Sequence, residues 1–212
     1  CSEIHIDMGP KVGHGRPDSS LANDSERFLE IWNLVFMQYE QKADGRRVPL
    51  PNPCVDTGMG LERLSTILNG VYTNYDTDLF VPLIKGVTQF SGRDYRAGEE
   101  GVSHRVIADH TKAAAFLIAD GVLPSNEGRG YVLRRIMRRA IRHAWLLGVQ
   151  EPMLVKLLPV VEGIYGDAYP ELLSGRDRIA GTVRDEEERF LKTIDMGLHL
   201  FGRSLSRWKS AG

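Results

Sequence analysis

The spacing of hydrophobic positions changes along the chain, from every second residue near the N-terminus to every third or fourth residue further on. Residues 2–8 alternate polar and apolar side chains, which predicts a half-buried strand. Residues 26–40 are dense in aromatic and branched side chains, which predicts a long, well-buried strand. A helix is the competing prediction for this segment, because Leu29, Trp32 and Phe36 also fit helical spacing.

A turn, an extended segment and a helix are predicted next. Asp44-Gly45 is a strong turn signal, so the chain is expected to reverse there. An extended run into the following strand is expected from alternate prolines at Pro49, Pro51 and Pro53. Residues 61–68 then carry leucine and isoleucine at helical spacing, and Gly70 is a plausible C-terminal stop.

Helical spacing dominates the rest of the chain. Asn74-Tyr75-Asp76-Thr77-Asp78 is predicted to cap a helix that reaches Phe90, and the polar, glycine-rich segment 91–101 predicts a domain boundary. Further helices are predicted up to Gly121, around residues 132–144, over 151–165, and from Arg176 to the end. The predicted organisation is therefore an α+β part (1–90), a linker (91–101) and an α-helical part (102–212).

Composition narrows the class of protein. The formal net charge of −1 excludes a globally basic nucleic-acid binder, so a basic surface must be local. Two distant cysteines, Cys1 and Cys54, predict neither a disulfide framework nor a zinc site, and they fit a reducing compartment. No apolar run reaches membrane-spanning length. A first residue that is not methionine, directly before a predicted strand, suggests a segment of a longer protein.

Several acids near the N-terminus are candidate ligands. Glu3, His5 and Asp7 share one face of the first predicted strand, either as a solvated face or as carboxylates near a metal–nucleotide site. The segment 9–25 predicts a loop. Within the second strand, burial of Glu30 and Asn33 without partners would cost free energy, so both are candidate site residues unless they face solvent.

The stretch Val55-Asp56-Thr57-Gly58-Met59-Gly60-Leu61-Glu62-Arg63-Leu64 combines a glycine-rich turn with an arginine in the first turn of a helix. Glycine lets a backbone approach a ligand closely, and a helix N-terminus with an arginine favours a phosphate. The alternative is that Gly58 and Gly60 only allow tight packing between strand and helix.

A second stretch, residues 126–143, carries six arginines and one glutamate, a local charge of +5. One row of arginines at i, i+4 spacing has a second row beside it. An all-arginine face is typical of phosphate contact, and a solvated or internally paired face is the alternative. For His104 and His110 a capping or core role is favoured over metal binding. The acidic run 185–188 is expected on the solvated side of the last helix, although it could instead repel RNA.

The stretch Gly58-Met59-Gly60-Leu61-Glu62-Arg63-Leu64 resembles the third signature motif of class II aminoacyl-tRNA synthetases. With Val55-Asp56-Thr57 before it, the stretch looks like the alanyl-tRNA synthetase version. Cys1-Ser2-Glu3-Ile4-His5, residues 74–80 and residues 124–143 resemble the same family, so the likeness covers most of the chain. It implies part of a class II antiparallel sheet followed by an α-helical domain.

The resemblance also implies roles for single residues. Arg63 holds the terminal phosphate of ATP and Glu30 coordinates Mg-ATP, which makes these two the candidate catalytic residues and Glu30 the candidate metal ligand; no zinc site is expected. The implied ATP-binding set is completed by Gly60 and Glu3. Alanine is bound through its ammonium group by Asp56 and oriented by Asn33, with Val35 and Gly58 completing the implied amino-acid site.

For the helical part, the resemblance implies recognition of the tRNA acceptor stem. Asn126 reads the third base pair, a G·U wobble, whose guanine amine is exposed in a shallow minor groove and can donate to an asparagine carbonyl. The candidate tRNA-binding residues are Asn126, Arg129, Arg134, Arg135, Arg138, Arg139 and Arg142.

The implied function is activation of alanine with ATP and Mg²⁺ and its transfer to tRNA(Ala), in the cytoplasm or an organellar matrix. The alternatives are a non-catalytic RNA-binding module and a ligase homologue that acts on another acceptor. The family's first two motifs are not found in these 212 residues. The chain alone is therefore expected to be inactive.

Overall fold

The computed structural model, which describes residues 1–13 and 16–210, begins with a three-stranded antiparallel sheet in the order β1-β2-β3. The strands are β1 (Ser2–Asp7), β2 (Phe28–Gln41) and β3 (Arg47–Met59). The strand prediction for residues 26–40 is confirmed and its helical alternative is wrong. Burial is lower than expected, because β2 is half-buried in its first part and exposed from Phe36 onward.

The turn between β2 and β3 has the geometry that Asp44-Gly45 predicts. Gly45 has a φ of +84°, a left-handed conformation that glycine adopts at little cost, and its N–H donates to the Lys42 carbonyl at 2.9 Å. The prolines of β3 are tolerated because β3 lies at an edge of the sheet, where the strand has a neighbour on one side only. The central strand β2 contains no proline.

A helix follows β3 directly, as predicted. Helix α1 (Leu61–Leu68) ends before Gly70, whose φ is +65°. The predicted loop 9–25 contains turns and bends in its described residues, which close around the buried Asp24. The Asp24 carboxylate accepts from Ser19 Oγ at 2.8 Å and from the Arg27 N–H at 3.1 Å. His14 and Gly15, in the same predicted loop, lie outside the described residues.

The remaining helices follow in chain order. Their bounds are α2 (Val81–Ser91), α3 (Val102–Ala119), α4 (Gly128–Leu146), α5 (Leu154–Tyr165), α6 (Pro170–Ser174) and α7 (Arg176–Ser210). An antiparallel sheet followed by helices confirms the predicted α+β class. The last two residues of the predicted helical part, 211 and 212, lie outside the described residues.

The start of α2 differs from the prediction. Residues Asn74–Asp76 form a separate 3₁₀ turn, and α2 begins at Val81 after Phe80, with Pro82 in its first turn. Proline is favoured there because the first N–H groups of a helix have no intrahelical partner. The acids of the segment 74–78 therefore do not cap α2.

The chain divides into two compact units between Thr77 and Asp78. The polar segment 91–101, predicted as the domain boundary, lies inside the second unit. Backbone carbonyl groups of this segment form hydrogen bonds with side chains of α3. His104 Nε2 bonds to the Arg93 carbonyl at 2.9 Å, and Arg105 donates to the Gly98 carbonyl at 2.8 Å. Residues 78–90 belong to the second unit because α2 packs against α3 and α5.

The core of the second unit lies among α2, α3, α4 and α5. One cluster of buried side chains comprises Val87, Ile107, Ala144, Val149, Met153 and Leu157. The predicted apolar stripe of α4 is buried at Leu133, Met137 and Ile141, whereas Val132 is exposed. The core role favoured for His104 fits its burial and its bond to a backbone carbonyl.

The acidic run of α7 is half buried, contrary to the expectation of a solvated side. Glu186 and Glu187 are 2% and 1% exposed, because they follow the buried Val183 at the three- and four-residue spacing of the apolar stripe. Further along α7, Leu198, Phe201 and Leu205 keep that spacing but are exposed. No helix within residues 1–13 and 16–210 has the length and apolar content needed to cross a membrane.

Candidate functional site

A β-bulge in β2 determines which side chains share a face of the sheet. Glu3 pairs with Asn33 and His5 pairs with Glu30, so that Ile31 is an extra residue in the ladder. Cross-strand partners lie on the same face, and Glu3 and His5 lie two residues apart on one strand. Glu30 and Asn33 therefore share a face, although strict alternation would place them on opposite faces.

The same face continues onto β3 with the predicted amino-acid site. Asn33 pairs with Gly58, and Val35 pairs with Asp56. No described residue forms a hydrogen bond or ion pair with the Asp56 carboxylate or with the Asn33 side-chain amide, so both groups are available to a ligand. A Cβ added to Gly58 would meet nothing within 4 Å, so the face is open at this position. The structure thus brings together all four residues predicted to bind the amino acid.

Arg63 contacts Glu30, the residue directly before the bulge. Its Nη1 donates to the Glu30 carbonyl at 2.8 Å and lies 3.7 Å from Glu30 Oε2. A Cβ added to Gly60 would lie 3.2 Å from Arg63 Cδ, so glycine at this position leaves room for the arginine side chain. The predicted strand–turn–helix arrangement therefore brings Arg63, Gly60 and Glu30 together at one end of the sheet face.

The acids of β1 are held by basic partners. Glu3 Oε2 lies 3.1 Å from His5 Nε2, and this hydrogen bond, with one to the Phe28 carbonyl, raises the pKa of His5. Asp7 pairs with Arg27 through two bonds of 2.7 and 2.8 Å, which lower the pKa of Asp7 to about 2. Glu3 thus lies on the same face of the sheet as Glu30. Asp7 links the end of β1 to Arg27.

The residues on this face fit ATP with Mg²⁺, the cofactor that the resemblance implies. Magnesium prefers oxygen ligands, which the Glu30 carboxylate can offer, and an arginine fork matches phosphate oxygens. Among the residues described, no three His, Cys, Asp or Glu side chains converge to hold a metal ion. Magnesium bound through one or two carboxylates usually takes its other ligands from phosphate and water.

Helix α4 carries its arginines in two different environments. Arg138 Nε donates to the buried Glu186 carboxylate at 2.7 Å, and Arg134 Nε lies 3.5 Å from the same oxygen. The alternative of an internally paired face therefore applies to these two arginines, since their neutralising acid lies far away in sequence, on α7. Contact of Arg134 or Arg138 with RNA stays a prediction.

The other arginines of this helix are exposed. Arg129, Arg135, Arg139 and Arg142 form no ion pair with any residue in the described part of the chain. A groove of about 340 Å³ is lined by Arg135, Arg139, Arg138, Val132, Ile136 and His110 of α3. Burial, together with the nearby charges of Arg139, Arg142 and His110, lowers the pKa of His143. This surface is cationic and suited to phosphate.

Asn126 lies in the loop before α4 and is exposed. Glu127, not Asn126, is the N-cap residue of the helix, and it makes no side-chain capping bond. Arg134 Nη1 donates to Asn126 Oδ1, and Arg134 Nη2 donates to the Pro124 carbonyl at 3.1 Å. Sequence reasoning did not anticipate this contact between two predicted RNA-binding residues.

Glu186 is the buried partner of the α4 arginines that sequence reasoning missed. Its side chain is 2% exposed and lies against Arg134 and Arg138, and Arg189 Nη1 lies 3.7 Å from its second oxygen. The available signal was its position on the buried stripe of α7, three residues after Val183. A glutamate at a buried position requires cationic partners.

Comparison with known proteins places this arrangement in a family. A family model described as "tRNA synthetases class II (A)" matches residues 1–212. The chain is 54% identical over 207 residues to the alanine–tRNA ligase of Xanthomonas axonopodis pv. citri (strain 306), covering 98% of the chain and 23% of that protein. It is also 54% identical over 201 residues to the alanine–tRNA ligase of Stenotrophomonas maltophilia (strain K279a), covering 95% of the chain and 22% of that protein.

These matches confirm the predicted resemblance along nearly the whole chain. The chain spans less than a quarter of the length of these curated relatives.

Proposed function

Since the chain belongs to the class II tRNA synthetases, we propose that it supplies the alanine- and ATP-binding face and a tRNA-binding helix to a protein that activates alanine and transfers it to tRNA(Ala). The main support for this proposal is the sheet face on which the bulge of β2 places Glu30 and Asn33 together. The Asp56 carboxylate and the Asn33 side-chain amide lie there on adjacent pairs of the same face, with no hydrogen-bond or ion-pair partner among the described residues. Arg63 contacts Glu30 at the same end of the sheet.

Alanine is bound by two polar side chains, next to a small apolar surface that contacts its methyl group. The Asp56 carboxylate binds the ammonium group, and the Asn33 amide orients the amino acid by a hydrogen bond. Val35 and Gly58 lie between them on the same face and accept a methyl-sized side chain. No nucleophile is required from the protein, because catalysis by this class of site rests on positioning and charge neutralisation.

ATP with Mg²⁺ supplies the group that activates the carboxylate of alanine. The Arg63 guanidinium binds the terminal phosphate, and the Glu30 carboxylate holds the magnesium ion, with Gly60 and Glu3 bordering the nucleotide. The Glu30 carbonyl holds Arg63 in place through the 2.8 Å bond. Because the guanidinium is already fixed, less side-chain entropy is lost when phosphate binds.

Transfer of alanine requires recognition of the tRNA acceptor stem, which we assign to α4. Arg129, Arg135, Arg139 and Arg142 contact phosphates, and these contacts position the stem without reading its sequence. Asn126 reads the third base pair through the shallow minor groove. The protein works in the cytoplasm or an organellar matrix. The inactivity of these 212 residues alone stays a prediction.

The ATP role is tested by Arg63→Gln in the full-length protein that contains this chain. Loss of a charged hydrogen bond costs about 1.5–3 kcal/mol, so kcat/KM for ATP is expected to fall about 10- to 150-fold in alanine-dependent pyrophosphate exchange. Arg47→Gln, at the exposed start of β3, is the matched control and leaves this constant unchanged. An unaltered ATP dependence in Arg63→Gln would refute the assignment.

A further inference from the structure

Arg134 joins two places that are far apart in the sequence. Its Nη1 donates to Asn126 Oδ1 and its Nη2 donates to the Pro124 carbonyl. Its Nε lies 3.5 Å from Glu186 Oε1, within ion-pair distance, and forms no hydrogen bond with a described residue. One guanidinium thus contacts both the loop before α4 and helix α7.

Burial strengthens the ion pair that holds this guanidinium. The side chains of Arg134 and Glu186 are 15% and 2% exposed. A carboxylate so deeply buried is costly unless cations surround it, which restricts where Arg134 can lie. Arg138 Nε donates to the same carboxylate oxygen at 2.7 Å and holds it in place. Arg134 is therefore anchored, whereas Arg135 beside it is exposed.

The contact also determines how the Asn126 amide is turned. A guanidinium has donors only, so the group facing it must be the amide oxygen and not the amide nitrogen. The second lone pair of Oδ1 and both N–H groups of Nδ2 remain available, since no other described residue bonds to them. The loop can approach α4 closely because residue 130 is glycine: a Cβ there would lie 2.3 Å from the Leu123 carbonyl oxygen.

We propose that Arg134, anchored by Glu186, is a positioning residue that holds the Asn126 amide in the orientation in which it reads the third base pair of the acceptor stem. This inference rests on the proposed function, in which Asn126 is the reading residue. It assigns to Arg134 a part in sequence discrimination, whereas Arg135 contributes affinity alone. Because the amide is already oriented, less side-chain conformational entropy is lost when RNA binds.

The experiment measures binding of the 212-residue chain to two short RNA acceptor-stem duplexes, with G·U or G·C at the third pair. The variants are Asn126→Ala, Arg134→Gln, their double variant, and Arg135→Gln as a control with the same change of charge. Asn126→Ala is expected to reduce the preference for G·U about 5- to 150-fold, the range for one base contact. Arg134→Gln reduces the preference by a similar factor, and the double variant loses no more.

The control separates discrimination from charge. Arg135→Gln weakens both duplexes equally and keeps the G·U preference. If Asn126→Ala lowers the preference while Arg134→Gln keeps it, the positioning role is refuted and the proposed reading by Asn126 stands. If Asn126→Ala leaves the preference unchanged, the reading function itself fails, and the positioning role fails with it.

Two further measurements cover the case in which Arg134→Gln does not fold. Arg134→Lys keeps a charge against Glu186 but cannot hold Asn126 and Pro124 together, so it loses the G·U preference while its thermal unfolding stays close to that of the unmodified chain. In the unmodified chain, ¹⁵N relaxation of Asn126 Nδ2 should show an ordered amide, with an order parameter above about 0.6. A value below about 0.6 would show a mobile amide and overturn the proposal.

Discussion

Glu186 and Glu187 are adjacent on α7 and equally buried, but their side chains stabilise different parts of the second unit. Glu186 faces arginines of α4, whereas both oxygens of Glu187 accept from the backbone N–H groups of Met153, Leu154 and Val155 at distances of 2.8–3.0 Å. Those N–H groups at the start of α5 have no intrahelical partner and favour a negative charge. Burial nevertheless raises the pKa of Glu187.

His143 makes a pH-dependent contribution at the residue scale. Its Nδ1 lies 3.0 Å from Ser103 Oγ, and burial with the charges of Arg139, Arg142 and His110 lowers its pKa from 6.5. A lowered pKa means that the unfolded chain binds this proton more readily than the folded chain does. The contribution of neutral His143 to the stability of the folded chain is therefore complete above pH 6.5. It is lost as the pH falls through the lowered pKa.

The thermal unfolding midpoint of the chain should thus fall between about pH 7.5 and about pH 5.5 by more than that of His143→Gln. His199→Gln, which removes a histidine that is 77% exposed on α7, should keep the behaviour of the unmodified chain. Parallel pH profiles for the unmodified chain and His143→Gln would contradict the assignment.

Sequence reasoning singled out residues that short local motifs mark, and the binding roles of these residues stay predictions. Asn33, Val35, Asp56 and Gly58 follow from two short motifs, and the structure places them side by side. It failed for Glu186, because four consecutive acids look like a solvated face and the arginines that neutralise one of them lie about fifty residues earlier in the sequence. Pairing across such a separation is visible only when α4 and α7 are packed.

At the scale of elements, the bulge in β2 shows the limit of the two-residue period. The strand itself follows from its branched and aromatic side chains, but an alternating pattern would separate Glu30 from Asn33. One inserted residue, Ile31, reverses the alternation and unites the two. Bulges are common next to active sites because they redirect a side chain in this way.

Helix boundaries were predictable where glycine or a tight turn marks them, as at Gly70 and Gly121. The start of α2 was not predictable from its polar residues, because the groups of the segment 74–78 form hydrogen bonds with one another in a 3₁₀ turn. Thr77 Oγ1, for example, donates to the Asn74 carbonyl at 2.6 Å. Local side-chain bonds to the backbone compete with helix capping.

Helix α4 provides the test at this scale. Arg135, Arg139 and Arg142 are the exposed arginines that we assign to phosphate contact, so their joint replacement by glutamine should flatten the salt dependence of tRNA binding. The slope of log K against log salt should change by about 0.7–0.9 for each phosphate that is no longer neutralised. G·U and G·C stems should lose affinity equally, because phosphate contacts carry no sequence information.

The control replaces three cations elsewhere in the second unit, at Lys85, Arg93 and Arg184, and should leave the slope unchanged. An unchanged slope in the triple variant of α4 would show that this helix is not the phosphate-binding surface. A loss of affinity confined to one stem would show that the arginines read sequence.

At the scale of the whole molecule, the two units differ in the sign of the charge that prevails at their candidate sites. The sheet face of the first unit presents Glu3, Glu30 and Asp56, which suit an ammonium group and a magnesium ion. The second unit presents the exposed arginines of α4, which suit phosphate. The near-neutral net charge of −1 conceals this separation. Only the local pattern of charge therefore indicates what each unit binds.

The central claim is that the face formed by the β2 bulge binds alanine, and Asp56→Asn in the full-length protein tests it most directly. The variant keeps the size of the side chain and removes the charge that pairs with the ammonium group. Loss of one partner of a desolvated charge pair costs about 2–5 kcal/mol. In pyrophosphate exchange, kcat/KM for alanine should therefore fall about 30-fold or more, while the KM for ATP changes little. Glu40→Gln, an exposed acid on β2, should leave both constants unchanged. Equal effects of Asp56→Asn on alanine and ATP would contradict the account.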